Sequence, residues 1–121
     1  MINLLIVEDQ QTILQLLKIY LEQESDLKIV SIAADGRVAI DKVDKFRPDV
    51  VLMDVEMPGI DGVTATRIIS QRYPEVKVLI LTTHDDDEIL DLALKAGAKG
   101  YILKTTPAQE LIKFIRSVHQ G

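Results

Sequence analysis

Polar residues capable of acid, base or phosphoryl chemistry stand at the ends of short apolar runs in this sequence. Carboxylates follow two of the runs, hydroxyls follow another, and an ammonium group follows the last. The residues are Glu8, Asp9, Asp54, Thr82, Thr83 and Lys104. If the runs are parallel strands of one sheet, their carboxyl ends share an edge, and these side chains converge there.

The combination of residue types predicts a divalent cation site. Three crowded carboxylates, those of Glu8, Asp9 and Asp54, repel one another, and a divalent cation relieves that repulsion. Oxygen ligands without His or Cys favour a hard ion, so the expected ion is Mg²⁺, with Mn²⁺ as an alternative. Aspartate can accept a phosphoryl group covalently, Lys104 can neutralise phosphoryl charge, and Thr82 can donate a hydrogen bond. The edge is therefore equipped to receive a phosphoryl group.

Each residue taken alone also has an ordinary structural interpretation. The acidic pair at residues 8–9 could cap the first helix and interact with its dipole. Asp54 could belong to a turn before the Pro-Gly pair at 58–59, Lys104 could be a solvated edge charge, and Thr82 is a common strand residue. Neither capping nor chance requires all of them to lie at the same ends of their strands. Their joint placement favours a phosphoryl-acceptor site.

Apolar runs alternate with amphipathic stretches along the whole chain. The runs predict strands over Ile2–Val7, Leu27–Ala33, 50–53, 76–81 and 101–103. Between and after them, apolar residues recur at steps of three and four, which predicts five helices. The apolar positions are Ile13, Leu14, Leu17 and Leu21; Ala39, Ile40, Val43 and Phe46; Ala65, Ile68 and Ile69; Ile89, Leu90, Ala93 and Leu94; and Leu111, Ile112, Ile115 and Val118.

Strict alternation of five strands and five helices predicts an α/β fold with helices on both faces of a parallel sheet. The first, third and fourth strands are apolar on both faces and are expected at the centre, with the second and fifth at the edges. Right-handed crossovers then give the flavodoxin-like order 2-1-3-4-5 in a doubly wound, three-layer sandwich. Gly97 is expected to end the fourth helix, and Thr106-Pro107-Ala108-Gln109 to begin the fifth as a capping box.

Composition limits the class of protein and its partners. The 121 residues amount to one domain, and 47% are hydrophobic, as in an ordinary globular protein. The formal net charge of −5 argues against direct contact with nucleic acid. The chain has no cysteines and no apolar run of membrane-spanning length, and the acidic residues soon after its first strand lead us to expect no signal peptide. We expect a soluble, cytoplasmic single domain that contacts neither nucleic acid nor membrane.

Four motifs give the chain a specific resemblance to a known family. They are LIVED at 5–9, VLMDVEMPGIDG at 51–62, LTT at 81–83 and AGAKGYILK at 96–104. Over essentially its whole length, 1–121, the chain resembles the receiver domain of bacterial two-component response regulators. The segment from Thr82 to Lys104, with HDDDE at 84–88, is similar to the NarL/FixJ (LuxR-type) class of transcription factors.

The resemblance implies a role for each matching residue. Asp54 is the phosphoacceptor, which takes a phosphoryl group from the phosphohistidine of a sensor histidine kinase. Asp9 and Asp54 bind Mg²⁺ directly, together with the backbone carbonyl of Glu56, and Glu8 binds it through water. Lys104 contacts the phosphoryl group.

The resemblance also implies a switch and a control of phosphoryl lifetime. Thr82 swings toward the phosphoryl group, and Tyr101 becomes buried when it does, although Tyr101 alone could equally be an edge-strand aromatic that only packs. Glu56 and His84 flank the path of an attacking water and are expected to tune how long the phosphoryl bond survives. Thr83 stands where the family often has a smaller residue, and it is expected to crowd the site slightly.

Partners and output follow from the same resemblance. Transcription factors of this class carry a C-terminal helix-turn-helix DNA-binding domain, which this chain does not include, and their receivers commonly form homodimers on phosphorylation. The fifth helix is a candidate contact, since Phe114 lies off its main apolar line and is either exposed or packed on the sheet edge. A stand-alone receiver that docks a different protein is the alternative.

A receiver of this kind is not a metabolic enzyme; only its own phosphorylation and dephosphorylation are expected. An aspartate-nucleophile phosphatase of the haloacid-dehalogenase type is a different-class alternative, because Glu56 follows Asp54 by two residues. Against it, Pro58 stands where that family has Thr or Val, and 121 residues leave no room for a cap insertion. A flavin-binding module of the same fold is a weaker alternative, because this chain lacks a Ser/Thr/Gly-rich phosphate loop after its first strand.

Overall fold

The structure, a computed structural model, describes residues 1–56, 61–83 and 87–121. Strands and helices alternate strictly along the described chain. The strands are β1 (Ile2–Val7), β2 (Leu27–Ala33), β3 (Val50–Asp54), β4 (Lys77–Thr82) and β5 (Gly100–Leu103). The helices are α1 (Gln11–Glu22), α2 (Gly36–Phe46), α3 (Gly62–Arg72), α4 (Asp87–Lys95) and α5 (Ala108–Gln120).

The five strands form one parallel sheet in the order β2-β1-β3-β4-β5, which confirms the predicted flavodoxin-like topology. Every residue of β3 is buried, and β1 and β4 are buried except at one position each, as expected for central strands. The edge strands β2 and β5 are only partly buried. The order reverses between β1 and β3, the place where open sheets of this kind form sites.

Alternate residues of the central strands face two separate cores, which makes the sandwich three layers thick. On one face, Leu5 and Val7 of β1 pack with apolar residues of α2, α3 and α4. On the other, Leu4 and Ile6 pack with residues of α1 and α5. Because successive side chains of a strand point to opposite faces of the sheet, each apolar run contributes residues to both cores.

Of the two helix ends that the sequence predicts, the end of α4 at Gly97 agrees with the structure and the start of α5 does not. Gly97, which follows α4, has φ 117, and an added Cβ would lie 2.4 Å from Ser70 Oγ. The predicted capping box at the start of α5 is wrong: Pro107 is the N-cap, no side chain caps the helix, and its carbonyl accepts from the amides of Glu110 and Leu111. Pro107 has an extended ψ of 144, so it precedes the first helical residue, and the helix begins one residue later than expected.

Two apolar residues assigned to core-facing helical stripes are exposed instead, namely Phe46 and Leu94. Both lie in the last turn of their helices. Phe46 is flanked by the Nζ atoms of Lys42 and Lys45, at 5.6 and 5.4 Å from its ring centre. In the described parts of the chain, no helix has the length and apolar character needed to cross a membrane.

Candidate functional site

The carboxyl ends of four strands bring the predicted polar residues to one edge of the sheet. Asp54 is the last residue of β3 and Thr82 the last residue of β4. Lys104 directly follows β5, and its amide donates to the Thr82 carbonyl at 2.8 Å. Glu8 directly follows β1, and its amide donates to the Ala33 carbonyl at the end of β2. The hydrogen bonds that extend the sheet thus position the side chains of the site.

Three carboxylates meet at this edge. One oxygen from each of Glu8, Asp9 and Asp54 lies within 4.8 Å of the others. Glu8 and Asp54 are buried, whereas Asp9 is exposed. The second oxygens of the buried pair have backbone partners, because Glu8 Oε2 accepts from the Gln10 amide at 3.0 Å and Asp54 Oδ1 accepts from the Glu56 amide at 2.9 Å.

The helix-capping interpretation of residues 8–9 is not what the structure shows. Helix α1 begins at Gln11 with Gln10 as its N-cap, and no side chain caps it. Glu8 instead directs Oε1 toward Lys104. Asp54 is likewise a buried strand residue rather than an exposed turn residue.

Lys104 lies between the two buried carboxylates. Its side chain is 5% exposed, and its Nζ lies 2.8 Å from Glu8 Oε1 and 3.1 Å from Asp54 Oδ2. These are ion-pair distances, and within the described residues neither oxygen has a hydrogen-bond partner besides this ion pair. Burial lowers the pKa of Lys104, but the contacts with Glu8 and Asp54 outweigh it and leave the pKa raised. The ammonium group therefore stays charged beside the carboxylates.

The environment of Asp54 disfavours its ionised form. Burial raises the pKa of Asp54 from 3.8 to about 6, and the charge of Glu8 adds to the rise, while the Glu56 amide and Lys104 oppose it. One ammonium group faces three carboxylates, so a cation is still favoured at this point. Two buried oxygens that have no hydrogen bond from the described part of the chain, together with one exposed carboxylate, all from Asp or Glu, suit a hard divalent ion such as Mg²⁺.

Gly62 holds α3 against the backbone of Asp54, a contact that the sequence reasoning missed. A Cβ at Gly62 would lie 2.4 Å from the Asp54 carbonyl oxygen and 2.7 Å from the Val55 Cα. The Thr66 hydroxyl, which is buried, donates to the Gly62 carbonyl. The available signal was Asp61-Gly62, an N-cap residue followed by a residue without a side chain.

The remaining predicted residues that the structure describes differ in burial. Thr82 is buried, whereas Tyr101 is 40% exposed on the edge strand. The Thr83 hydroxyl donates to the Glu56 carboxylate at 3.0 Å from Oε1 and 3.1 Å from Oε2. His84 lies outside the described residues, as do residues 57–60 of the second motif.

Comparison with known proteins identifies the family of the chain. Residues 4–116 match the family model of the response regulator receiver domain. The chain belongs to the response regulator receiver family. It is 43% identical over 120 residues to the transcriptional regulatory protein DegU of Brevibacillus brevis, covering 99% of this chain and 51% of that protein. It is 44% identical over 120 residues to the oxygen regulatory protein NreC of Staphylococcus epidermidis, covering 98% of this chain and 55% of that protein.

Solved receiver structures have the same fold. The signal receiver domain of the response regulator NarL of Mycobacterium tuberculosis superimposes with a TM-score of 0.95 at 27% identity, covering 99% of this chain and 97% of that one. A LuxR-family DNA-binding response regulator of Staphylococcus aureus gives 0.85 at 29% identity, covering 98% and 99%. These findings confirm the resemblance to NarL-type receivers. This receiver spans about half the length of the curated relatives it matches.

Proposed function

We propose that this receiver is a phosphorylation-activated signalling domain that accepts a phosphoryl group on Asp54 from the phosphohistidine of a sensor histidine kinase. The observation that carries the proposal is the buried Asp54 carboxylate, which has Lys104 on one side and two further carboxylates beside it. An isolated buried carboxylate pair is costly, and such clusters are typical of functional sites.

The transfer is a displacement at phosphorus. A carboxylate oxygen of Asp54 forms a bond to phosphorus while the phosphorus–nitrogen bond of the phosphohistidine breaks and its electron pair returns to the imidazole. Lys104 supplies a positive charge at 3.1 Å from Asp54 Oδ2, where phosphoryl charge arrives. Asp9, Asp54 and the carbonyl of Glu56 are the proposed Mg²⁺ ligands, with Glu8 acting through water. When bound, Mg²⁺ neutralises phosphoryl charge.

Thr82 and Tyr101 are the residues proposed to change position on phosphorylation. Thr82 is buried next to the site, and its carbonyl already bonds to the Lys104 amide. Tyr101 is exposed, so it has room to become buried when the Thr82 side chain moves toward the phosphoryl group. Glu56 is proposed to tune the phosphoryl lifetime, and so is His84.

The output proposed is control of transcription by a homodimer, with DNA contacted by a helix-turn-helix domain beyond this chain. The described surface of α4, β5 and α5 offers exposed apolar residues for such a contact: Leu92, Leu94, Tyr101 and Phe114. Phe114 satisfies both earlier interpretations. It is partly exposed, and its ring also packs so closely on Gly100 that a Cβ there would lie 2.9 Å from it. The setting proposed is the cytoplasm of a bacterium.

Phosphorylation of the isolated domain by a small phosphodonor tests the proposal. With acetyl phosphate and Mg²⁺, we expect one acid-labile phosphoryl group, located at Asp54 by peptide mass spectrometry. Asp54→Asn and EDTA should each abolish it, whereas Asp41→Asn, a change at an exposed carboxylate of α2, should not. Equal labelling of Asp54→Asn contradicts the proposal. Sustained turnover of phosphate monoesters would instead support the phosphatase alternative.

A further inference from the structure

Gly62, the first residue of α3, lies directly against the backbone at the end of β3. A Cβ there would lie 2.4 Å from the Asp54 carbonyl oxygen and 2.7 Å from the Val55 Cα, whereas carbon atoms in ordinary contact are about 3.5–4.0 Å apart. Both atoms belong to the buried main chain, so neither can move aside as the end of a flexible side chain can. A side chain at position 62 would therefore push α3 and the end of β3 apart by about 1 Å.

The backbone that Gly62 contacts also orients the Asp54 carboxylate. The residue after Val55 is Glu56, whose amide donates to Asp54 Oδ1 at 2.9 Å. Because this hydrogen bond spans only two residues, it depends on the path of the chain through Val55. A shift of Val55 therefore turns the Asp54 carboxylate and moves the backbone of Glu56, whose carbonyl is a proposed Mg²⁺ ligand.

The first turn of α3 is itself held by two hydrogen bonds. Asp61 Oδ1 accepts from the Thr64 amide at 2.7 Å and caps the helix. The buried Thr66 hydroxyl donates to the Gly62 carbonyl at 2.6 Å. The turn that carries Gly62 is therefore a fixed surface against which the backbone of Asp54 and Val55 packs.

We propose that Gly62 is a positioning residue of the metal site: because it has no side chain, α3 supports the backbone of residues 54–56 in the arrangement that Mg²⁺ requires, and Thr66 holds Gly62 in place. This inference rests on the proposed Mg²⁺ site at Asp54. Mg²⁺ demands nearly ideal octahedral geometry at about 2.0–2.1 Å, whereas Ca²⁺ accepts flexible geometry at about 2.3–2.6 Å. Displacement of the Asp54 carboxylate and the Glu56 carbonyl should therefore weaken Mg²⁺ binding much more than Ca²⁺ binding.

Titrations of Gly62→Ala with each ion, followed by amide NMR, test the inference. We expect the Mg²⁺ dissociation constant to rise by about tenfold or more, as when a group that orients metal ligands is changed. The Ca²⁺ dissociation constant should rise by less than about threefold. The Glu56 amide proton should also change its chemical shift before any metal is added, because its hydrogen bond to Asp54 Oδ1 is distorted.

Gly97→Ala is the matched control at the opposite edge of the sheet. Gly97 has φ 117, and a Cβ there would lie 2.4 Å from Ser70 Oγ, so this variant should also lower the melting temperature. Since that clash falls on a side chain near the end of α3 and not on the backbone of the site, the affinities for both ions should equal those of the wild type.

A second pair of variants decides the question if Gly62→Ala does not fold. Thr66→Val removes the hydroxyl that holds the Gly62 carbonyl, and the Mg²⁺ dissociation constant should rise by about threefold, the effect of one hydrogen bond. Thr66→Ser keeps the donor and should bind Mg²⁺ as the wild type does.

The outcomes distinguish the inference from the proposed function. Wild-type Mg²⁺ affinity in Gly62→Ala, or in Thr66→Val if the alanine variant does not fold, overturns the inference and leaves the function standing. Equal weakening of Mg²⁺ and Ca²⁺ binding, or equal weakening by Gly97→Ala, also overturns it, because the cause is then a general loss of structure. A wild type that neither responds to Mg²⁺ nor takes up a phosphoryl group at Asp54 overturns the proposed function and the inference together.

Discussion

At the amino-terminal edge of the sheet, charged side chains pair with one another near solvent, or with a backbone carbonyl near the end of a helix. Arg116 of α5 donates two hydrogen bonds to Asp26 and one to Glu24, all between 2.8 and 2.9 Å. Lys77 Nζ donates to the His119 carbonyl at 2.9 Å, near the end of α5. The Lys77 contact satisfies a carbonyl near a helix end, whereas the Arg116 contacts join distant segments and remain substantially exposed.

At the carboxyl-terminal edge, Glu8, Asp54 and Lys104 are packed together below the surface. Exposed pairs contribute little to stability, and buried ones carry a large desolvation cost. Stability alone therefore does not explain why charges are buried at one edge of the sheet and lie near solvent at the other. The difference between the edges therefore indicates that the carboxyl-terminal cluster is retained for function.

The largest expected effect comes from removal of the buried cation. Lys104→Met leaves the carboxylates of Glu8 and Asp54 buried without a counter-charge, and the free energy of unfolding without metal should fall by about 3 kcal/mol or more. The matched control at the other edge is Lys77→Met, which loses one hydrogen bond to a helix end and should cost only about 1 kcal/mol. Urea unfolding at neutral pH measures both. Equal losses would contradict the proposed difference between the edges.

In the absence of metal, Asp54→Asn is expected to raise the free energy of unfolding, by less than Lys104→Met lowers it. The pKa of Asp54 in the folded chain is raised from 3.8 to about 6, so the folded state binds this proton more tightly than the unfolded state does. Wild-type stability should therefore fall as the pH rises from about 4 to about 6, and stay reduced above that. The asparagine variant lacks this loss and should be more stable at pH 7 by on the order of 2 kcal/mol.

Urea unfolding between pH 4 and 8 measures the pH dependence of both proteins. Asp41→Asn, at an exposed carboxylate, is the control and should follow the wild type. An Asp54→Asn variant that is less stable than the wild type at pH 7 would show that the buried carboxylate stabilises the metal-free fold.

The smallest expected effect lies at the amino-terminal edge. The hydrogen bonds from Arg116 lower the pKa of Asp26, so their contribution is present above the ordinary pKa of an aspartate and is lost on acidification. Arg116→Gln should lower the melting temperature by less than half as much as Lys104→Met does. The loss should largely disappear in about 1 M NaCl, which screens exposed charges. Altered Mg²⁺ binding in this variant would contradict a purely structural role.

The strands and the composition of the site were predictable because they depend on local pattern. The apolar runs predicted the bounds of β1 and β2 that the structure shows. The polar residues that follow each run predicted which side chains meet at the carboxyl-terminal edge of the sheet. Parallel pairing then brings Glu8, Asp54 and Lys104 together without any further information.

Contacts that depend on three-dimensional approach were not predictable. The Arg116–Asp26 pair is 90 residues apart in sequence, and the Thr83–Glu56 bridge spans 27 residues between two loops. The position of Lys104 between two particular oxygens depends on side-chain rotamers, and the need for Gly62 depends on how closely α3 approaches β3. The start of α5 was mispredicted because Thr106 and Pro107 both suit a helix start.

The measurement that tests the central claim most directly is an amide NMR titration of the domain with Mg²⁺, followed by beryllofluoride as a phosphoryl mimic. We expect the largest shift changes at Asp9, Asp54, Thr82 and Lys104, a beryllofluoride response only when Mg²⁺ is present, and little change at Asp26. Beryllofluoride binding without Mg²⁺, or responses spread equally over both edges of the sheet, would contradict a metal-dependent phosphoryl site at the carboxyl-terminal edge.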